Sequence, residues 1–204
     1  ALLVQQDHAD HLPLLQHALF WIWHEASVRC ADRPLVDALT LDDLWRAVGP
    51  LPGAPLQPLA AAINTLELCL KQRCESIYCR SVDEQPVWEA VFRSLAFKEP
   101  NTGTYTQQRA SMLGLCRRLD IVPPDAQALA RHVQPWMQPH GYLHWDVGSR
   151  TVKVAHETLI RRWPRFRAWV DEEDRQFHVY LRLLEDTERW KAAPESSWAL
   201  SGGD

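Results

Sequence analysis

Residues 141–156, GYLHWDVGSRTVKVAH, decide the fold. Two runs of alternating residues, GYLHWDV and TVKVAH, flank Gly148, Ser149 and Arg150, and a short glycine-containing turn between such runs predicts a β-hairpin. Parity in the second run puts Val152, Val154 and His156 on one face and Thr151, Lys153 and Ala155 on the other. With the valines toward the core, His156 is expected to point inward, just where a new helix begins. Two readings stay open for it: a ring packed in the core, or a donor to an anion drawn by the free amides of a helix N-terminus.

Upstream of the hairpin the spacing predicts a helix over 86–97, with Val87, Val91 and Leu95 beside Trp88 and Phe92. A second helix is expected within 106–118. A third, over 124–138, carries Ala126, Leu129, Val133 and Met137. Three helices followed by a hairpin is the winged-helix arrangement, assigned to 83–163. Downstream, Leu159, Trp163, Phe166 and Val170 mark another helix, which Pro164 restarts or kinks. A further helical stretch over 175–191, with Tyr180, Leu184 and Trp190, makes 164–204 a helical connector ending in a flexible SGGD.

Residues 1–82 read as a helical, lid-like bundle. Leu12, Leu15, Leu19, Ile22 and Ala26 step by three and four along one helix with Pro13 in its first turn. Thr40, Asp43 and Gly49 bracket a short capped helix, and PLPGAPLQP is a turn. Leu59, Ile63, Leu66, Leu70, Cys74 and Ile77 then form the stripe of a helix over 56–79. The fold class is mainly α: a bundle, a winged helix with its hairpin wing, and a connector.

The 204 residues, 46% hydrophobic, can bury a sizeable core, and a net charge of −4 gives no global pull toward nucleic acid or anionic membrane. Five cysteines, an odd number without paired short spacings, fit a reducing cytoplasm, and neither a membrane span nor a signal pattern is present. Cys69, Cys74 and Cys79 step by five, so their thiols diverge around a helix. His8 with His11 and His140 with His144 lack a matching carboxylate or cysteine nearby, and read as ordinary histidines rather than metal ligands. The start at Ala1, without methionine, predicts a fragment of a larger protein.

No G-x-x-x-x-G-K-[ST], G-x-S-x-G, H-E-x-x-H or glycine-rich dinucleotide turn occurs, and eight glycines leave little material for a phosphate-cradling loop. A self-contained enzyme is not expected. The helix over 124–138 offers only Arg131 and His132 against Asp125, too little charge for reading DNA. Arg161, Arg162, Arg165 and Arg167 lie after the wing, either as a solvated face or, for Arg161 and Arg162, as contacts to an anion or partner.

Two stretches carry a resemblance. VKVAHETLIRRWPRFRAWVDEEDR, from 152 to 175, resembles the end of the winged-helix domain in bacterial STAND signalling NTPases of the novel STAND group. LPLLQHALFWIW, from 12 to 23, resembles the first helix of the lid that follows their nucleotide-binding core. The resemblance spans nearly the whole chain, with the middle matching in pattern more than in letters. It implies a molecular switch in which ADP is clamped between a P-loop core and the lid plus winged helix, and exchange for ATP releases the off state. It further implies that Pro13 contacts the base side of the nucleotide and that His156 contacts the ADP β-phosphate.

The glycine that usually precedes the lid proline is absent, Asp10 and His11 standing there instead, and the P-loop and Walker B acid are not in these residues. The resemblance therefore assigns ADP or ATP with Mg to the full-length protein, with none expected tightly bound here. Its implied partners are the missing NTPase core, a downstream sensor domain and, on activation, further copies of the protein. Nucleic acid and membrane are not among them.

Overall fold

The structure, a computed structural model, describes residues 2–30, 39–48, 59–121 and 125–192. The PLPGAPLQP turn, the stop at Gly49 and the terminal SGGD lie outside the described residues. The chain is mainly helical, with small antiparallel sheets. In order it forms α1 (Leu2–Arg29), α2 (Leu41–Val48), α3 (Leu59–Tyr78), α4 (Gln85–Arg93), β1 (Ala96–Lys98), β2 (Tyr105–Gln107) and β3 (Ala110–Ser111). Then follow α5 (Met112–Arg118), α6 (Ala126–Met137), β4 (Leu143–Asp146), β5 (Thr151–Val154), α7 (Thr158–Arg162) and α8 (Pro164–Ala192).

The hairpin forms as its pattern dictates. Asp146 pairs with Thr151 across the turn, and the Asp146 carboxylate accepts the amides of Gly148 at 2.9 Å and Ser149 at 3.1 Å. That side chain satisfies the donors the tight turn exposes. β3 adds to the free side of β5, so the sheet has three strands in the order β3-β5-β4. Two-residue strands carry no periodicity, and β3 is invisible to an alternation test.

Boundaries differ from expectation in the middle of the chain. The helix expected over 86–97 ends at Arg93, and β1 begins at Ala96 to pair with β2. The helix expected within 106–118 shrinks to α5, because Tyr105–Gln107 and Ala110–Ser111 are strands. Ser111 caps α5 by accepting the Gly114 amide at 3.1 Å, and Asp125 caps α6 by accepting the Gln127 amide at 2.7 Å. The two helices expected after Glu157 are instead a short α7 and one continuous α8, with the break at Trp163 before Pro164.

The expected buried face of α1 is corrected. Leu12, Leu15 and Leu19 are 63%, 44% and 47% exposed, while Leu14, Ala18 and Trp21 are buried on nearly the opposite side. Ala26 is buried as expected. α1 carries apolar residues most of the way round, so spacing offers more than one stripe. The face bearing Ala18 packs, since a small side chain admits close neighbours. Pro13 sits inside the helix rather than in its first turn, because α1 begins at Leu2 and runs through a polar stretch that has no apolar stripe.

One apolar cluster runs from Leu14 on α1 and Leu70, Cys74 and Ile77 on α3 through to Phe166 and Val170 on α8. At its heart the ring of Phe92 meets Trp136 at 4.7 Å, Phe166 at 4.9 Å and Trp163 at 5.2 Å between centroids. Edge-on contacts of this kind add directional preference to the area they bury. Trp163 finds a partner for its indole N–H in Glu75 of α3, at 2.8 Å. That bond fixes α3 against the α7–α8 junction.

Candidate functional site

α1, α3, the turn after α6 and the exit from β5 enclose a cavity of about 170 Å³. From α1 come Pro13, Leu14, His17 and Phe20, with Pro13, His17 and Phe20 spaced four and three so that one helical face supplies them. Leu70 of α3 closes one side. Gly141, at φ +66°, turns the chain out of α6 in the left-handed region that glycine enters without strain, and delivers Tyr142 to the wall. Ala155, His156, Thr158 and Leu159 complete it. The two residues assigned by resemblance, Pro13 and His156, thus come from opposite ends of the chain to line one cavity.

The expected orientation of His156 is corrected. β5 ends at Val154 and the chain bends at Ala155, so parity stops two residues short and His156 is exposed at the cavity rim. The helix expected to attract an anion there is α7, only five residues long. So short a helix carries little aligned dipole, and the imidazole, not the helix end, is the polar feature of the rim.

Three residues that sequence reasoning did not assign to this site, His17, His140 and Tyr142, form the inner wall. The ring of His140 stacks on Tyr142, 5.5 Å between centroids and 4° between planes, and Trp21 lies 4.8 Å from His140 on its other side. The Tyr142 hydroxyl lies 3.2 Å from His17 Nε2. Burial, then the charges of His140 and Arg73, hold the His17 imidazole down to about 4. Burial, then Arg73, Arg80 and His24, do the same to His140, also to about 4. Both rings are neutral at physiological pH. His17 was findable, since it stands four residues after Pro13 on the same helical face. His140 was not, since only the turn at Gly141 brings it there.

Beneath the cavity lies a buried ion cluster. The fully buried Asp10, on α1, accepts the Thr158 hydroxyl at 3.0 Å and Arg162 Nε at 3.1 Å. Arg161 donates Nε to both Asp10 oxygens at 3.0 Å and also meets the carboxylate through Nη2. Arg162 further pairs with Glu67 of α3 at 2.8 Å, and Arg161 with Glu157 at 3.3 Å. Burial alone would raise the Asp10 carboxyl, but the Arg161 hydrogen bonds and charge, then Thr158 and Arg162, bring it below its ordinary range. The anion that Arg161 and Arg162 contact is a carboxylate of the same chain. Arg165 is likewise held by Glu75, at 2.8 Å.

Cys69 and Cys74 are buried and Cys79 is exposed, all three as free thiols. His140 is partly buried and His144 exposed. Among the described residues no group of His, Cys, Asp or Glu could hold a metal ion. The site offers a partly apolar cavity with imidazoles on its wall and rim, an arrangement suited to binding.

The sequence profile described as Novel STAND NTPase 1 matches residues 2–197, and the chain belongs to that family. Neither the curated proteins nor the solved structures gave a match. No helix among the described residues is long and apolar enough to cross a membrane.

Proposed function

We propose that these residues are the regulatory, nucleotide-sensing portion of a STAND-type signal-transduction ATPase, holding the ADP-bound off state through lid and winged-helix contacts and catalysing nothing alone. The observation that carries this reading is the convergence of Pro13 and His156 on one cavity. At about 170 Å³ it falls below the roughly 300 Å³ of sites that bury a whole small ligand. The cavity takes only part of a nucleotide, and the rest would be held by the core of the full-length protein. Mg and the hydrolytic chemistry belong to that core.

In this reading the apolar wall at Pro13, Leu14 and Leu70 takes the base side, and the His156 imidazole donates to the β-phosphate. The exposed seam of Leu12, Leu15, Leu19 and Trp23 along α1 supports an intramolecular partner, since so continuous an apolar strip favours being covered. The order α4, β3, α5, α6, β4, β5, with β5 central in the sheet, supports the winged-helix assignment to 83–163. Residues 1–82 then act as the lid and 164–204 as the connector to a sensor domain, in a cytoplasmic protein that self-associates when activated. A DNA-binding winged helix is the weaker reading, because Arg161, Arg162 and Arg165 are already engaged by carboxylates.

His156→Ala in the full-length protein should loosen ADP retention and raise basal activity. Unchanged retention of ADP would overturn the proposal.

A further inference from the structure

We propose that the cavity takes up an anion and a proton together, His17 and His140 becoming imidazolium as a phosphate group enters. The inference rests on reading the cavity as a phosphate site and adds its regulation by pH.

Among the described residues, no carboxylate stands as a counter-ion beside these two imidazoles. His17 faces Tyr142 and His140 from the turn after α6, and Arg73 from α3. His140 faces Trp21 and His24 from α1, Tyr142 beside it, and Arg73 and Arg80 from the α3 side. Tyr142 in turn touches the buried Cys74 thiol, which carries no charge. Every charged group in that set is a cation. The carboxylate available on α1, Glu25, is bound to Arg73 at 3.0 Å. Asp10, behind Thr158, is bound by Arg161 and Arg162. Among the described residues, no Asp or Glu lines the cavity.

A proton on either ring is therefore opposed by burial and by neighbouring positive charge, which agrees with both rings staying neutral down to about pH 4. An anion seated beside them reverses the sign of that field, and in a partly dehydrated cavity the reversal is strong. By linkage, what the anion does for the proton the proton does for the anion, so affinity must rise as pH falls. If one imidazole regains its ordinary affinity for protons, anion binding strengthens of the order of tenfold between pH 7 and pH 5.

The test uses sulfate on the 204-residue chain, because sulfate keeps its charge over that range. Calorimetry at pH 7 and pH 5 should show the tenfold gain, and NMR titration of the histidine rings should show the His17 and His140 midpoints moving up when sulfate is present. His17→Phe and His140→Phe keep a ring in place but remove the proton site, and each should flatten the dependence. If either variant fails to fold, the ring titration of the unaltered protein decides. No sulfate binding, or equal affinity at both pH values with unmoved midpoints, overturns the inference. Adenosine provides the second arm: binding of adenosine without sulfate would defeat the proton-coupled anion site while leaving nucleotide recognition standing.

Discussion

Arg161 donates its Nε to both oxygens of Asp10, 3.0 Å from each, and so joins the first helix of the chain to the segment that leaves the hairpin. The pair sits against Thr158, which lines the cavity and whose hydroxyl bonds the same carboxylate. Pro13 follows Asp10 by less than one turn, and His156 precedes Arg161 by little more than one. The ion pair therefore sets the separation of the two cavity residues.

Asp10→Ala should remove the anchor and leave two partly buried guanidinium groups short of a carboxylate. Breaking a buried pair from one side costs about 3 to 5 kcal/mol. Urea denaturation should show that loss, whereas Glu67→Ala, which removes only a partly exposed partner of Arg162, should cost about 1 kcal/mol or less.

Stability should depend on pH in a defined window. His17 and His140 have folded-state values of about 4 against an ordinary 6.5, so the unfolded chain binds more protons between them. Their contribution is complete above pH 6.5, falls as pH drops, and is exhausted near pH 4. Urea midpoints at intervals from pH 7.5 to 4.5 should decline, and should do so less steeply in His17→Phe.

Glu75 carries two bonds that hold α3 to the α7–α8 junction. In Glu75→Ala the buried Trp163 indole N–H loses its acceptor, at a cost of about 1 to 3 kcal/mol. Arg165→Ala keeps that bond and, with Arg165 only half-buried, should cost about 1 kcal/mol or less, which thermal unfolding can distinguish.

Gly141→Ala isolates a backbone effect. A Cβ built there meets nothing within 4 Å, so the only penalty is the left-handed φ of +66°. About 1 to 2 kcal/mol is expected, measured by urea denaturation. A much larger loss would mean that the turn does more than redirect the chain.

Gel-shift assays with duplex DNA at low salt should show no binding by these residues. Arg161 and Arg162 spend their donors on Asp10, Glu157 and Glu67, and phosphate attraction needs cations at the surface. Retardation lost on Arg161→Ala would contradict this.

Much of the scaffold was legible in the order of residues. The hairpin, the capped start of α2, the Leu70, Cys74 and Ile77 part of the α3 stripe and the run Leu159, Trp163, Phe166, Val170 were all readable, because each is a local signal: a turn, a cap, or a period of 3.6. The Thr40–Asp43 box formed as spelled, with the Thr40 amide donating to Asp43 at 2.8 Å and the Asp43 amide to Thr40 Oγ1 at 3.2 Å. What local signals could not supply was the bidentate Arg29 on that same Asp43, at 2.8 Å. Such a partner is set by how α1 lies on α2.

By itself, then, the sequence determined the hairpin, most of the helices and which family the two end motifs resemble. Tertiary structure alone decided the rest: which face of α1 is buried, that a bend at Ala155 sends His156 to the rim, and that Asp10 is an anchor rather than a substitute for glycine. It also brought His17, His140 and Tyr142 into one wall. Periodicity and capping are written within a few residues along the chain. The surroundings of a charge or a ring are set by packing between elements far apart in it, and that burial is what fixes the protonation of those histidines.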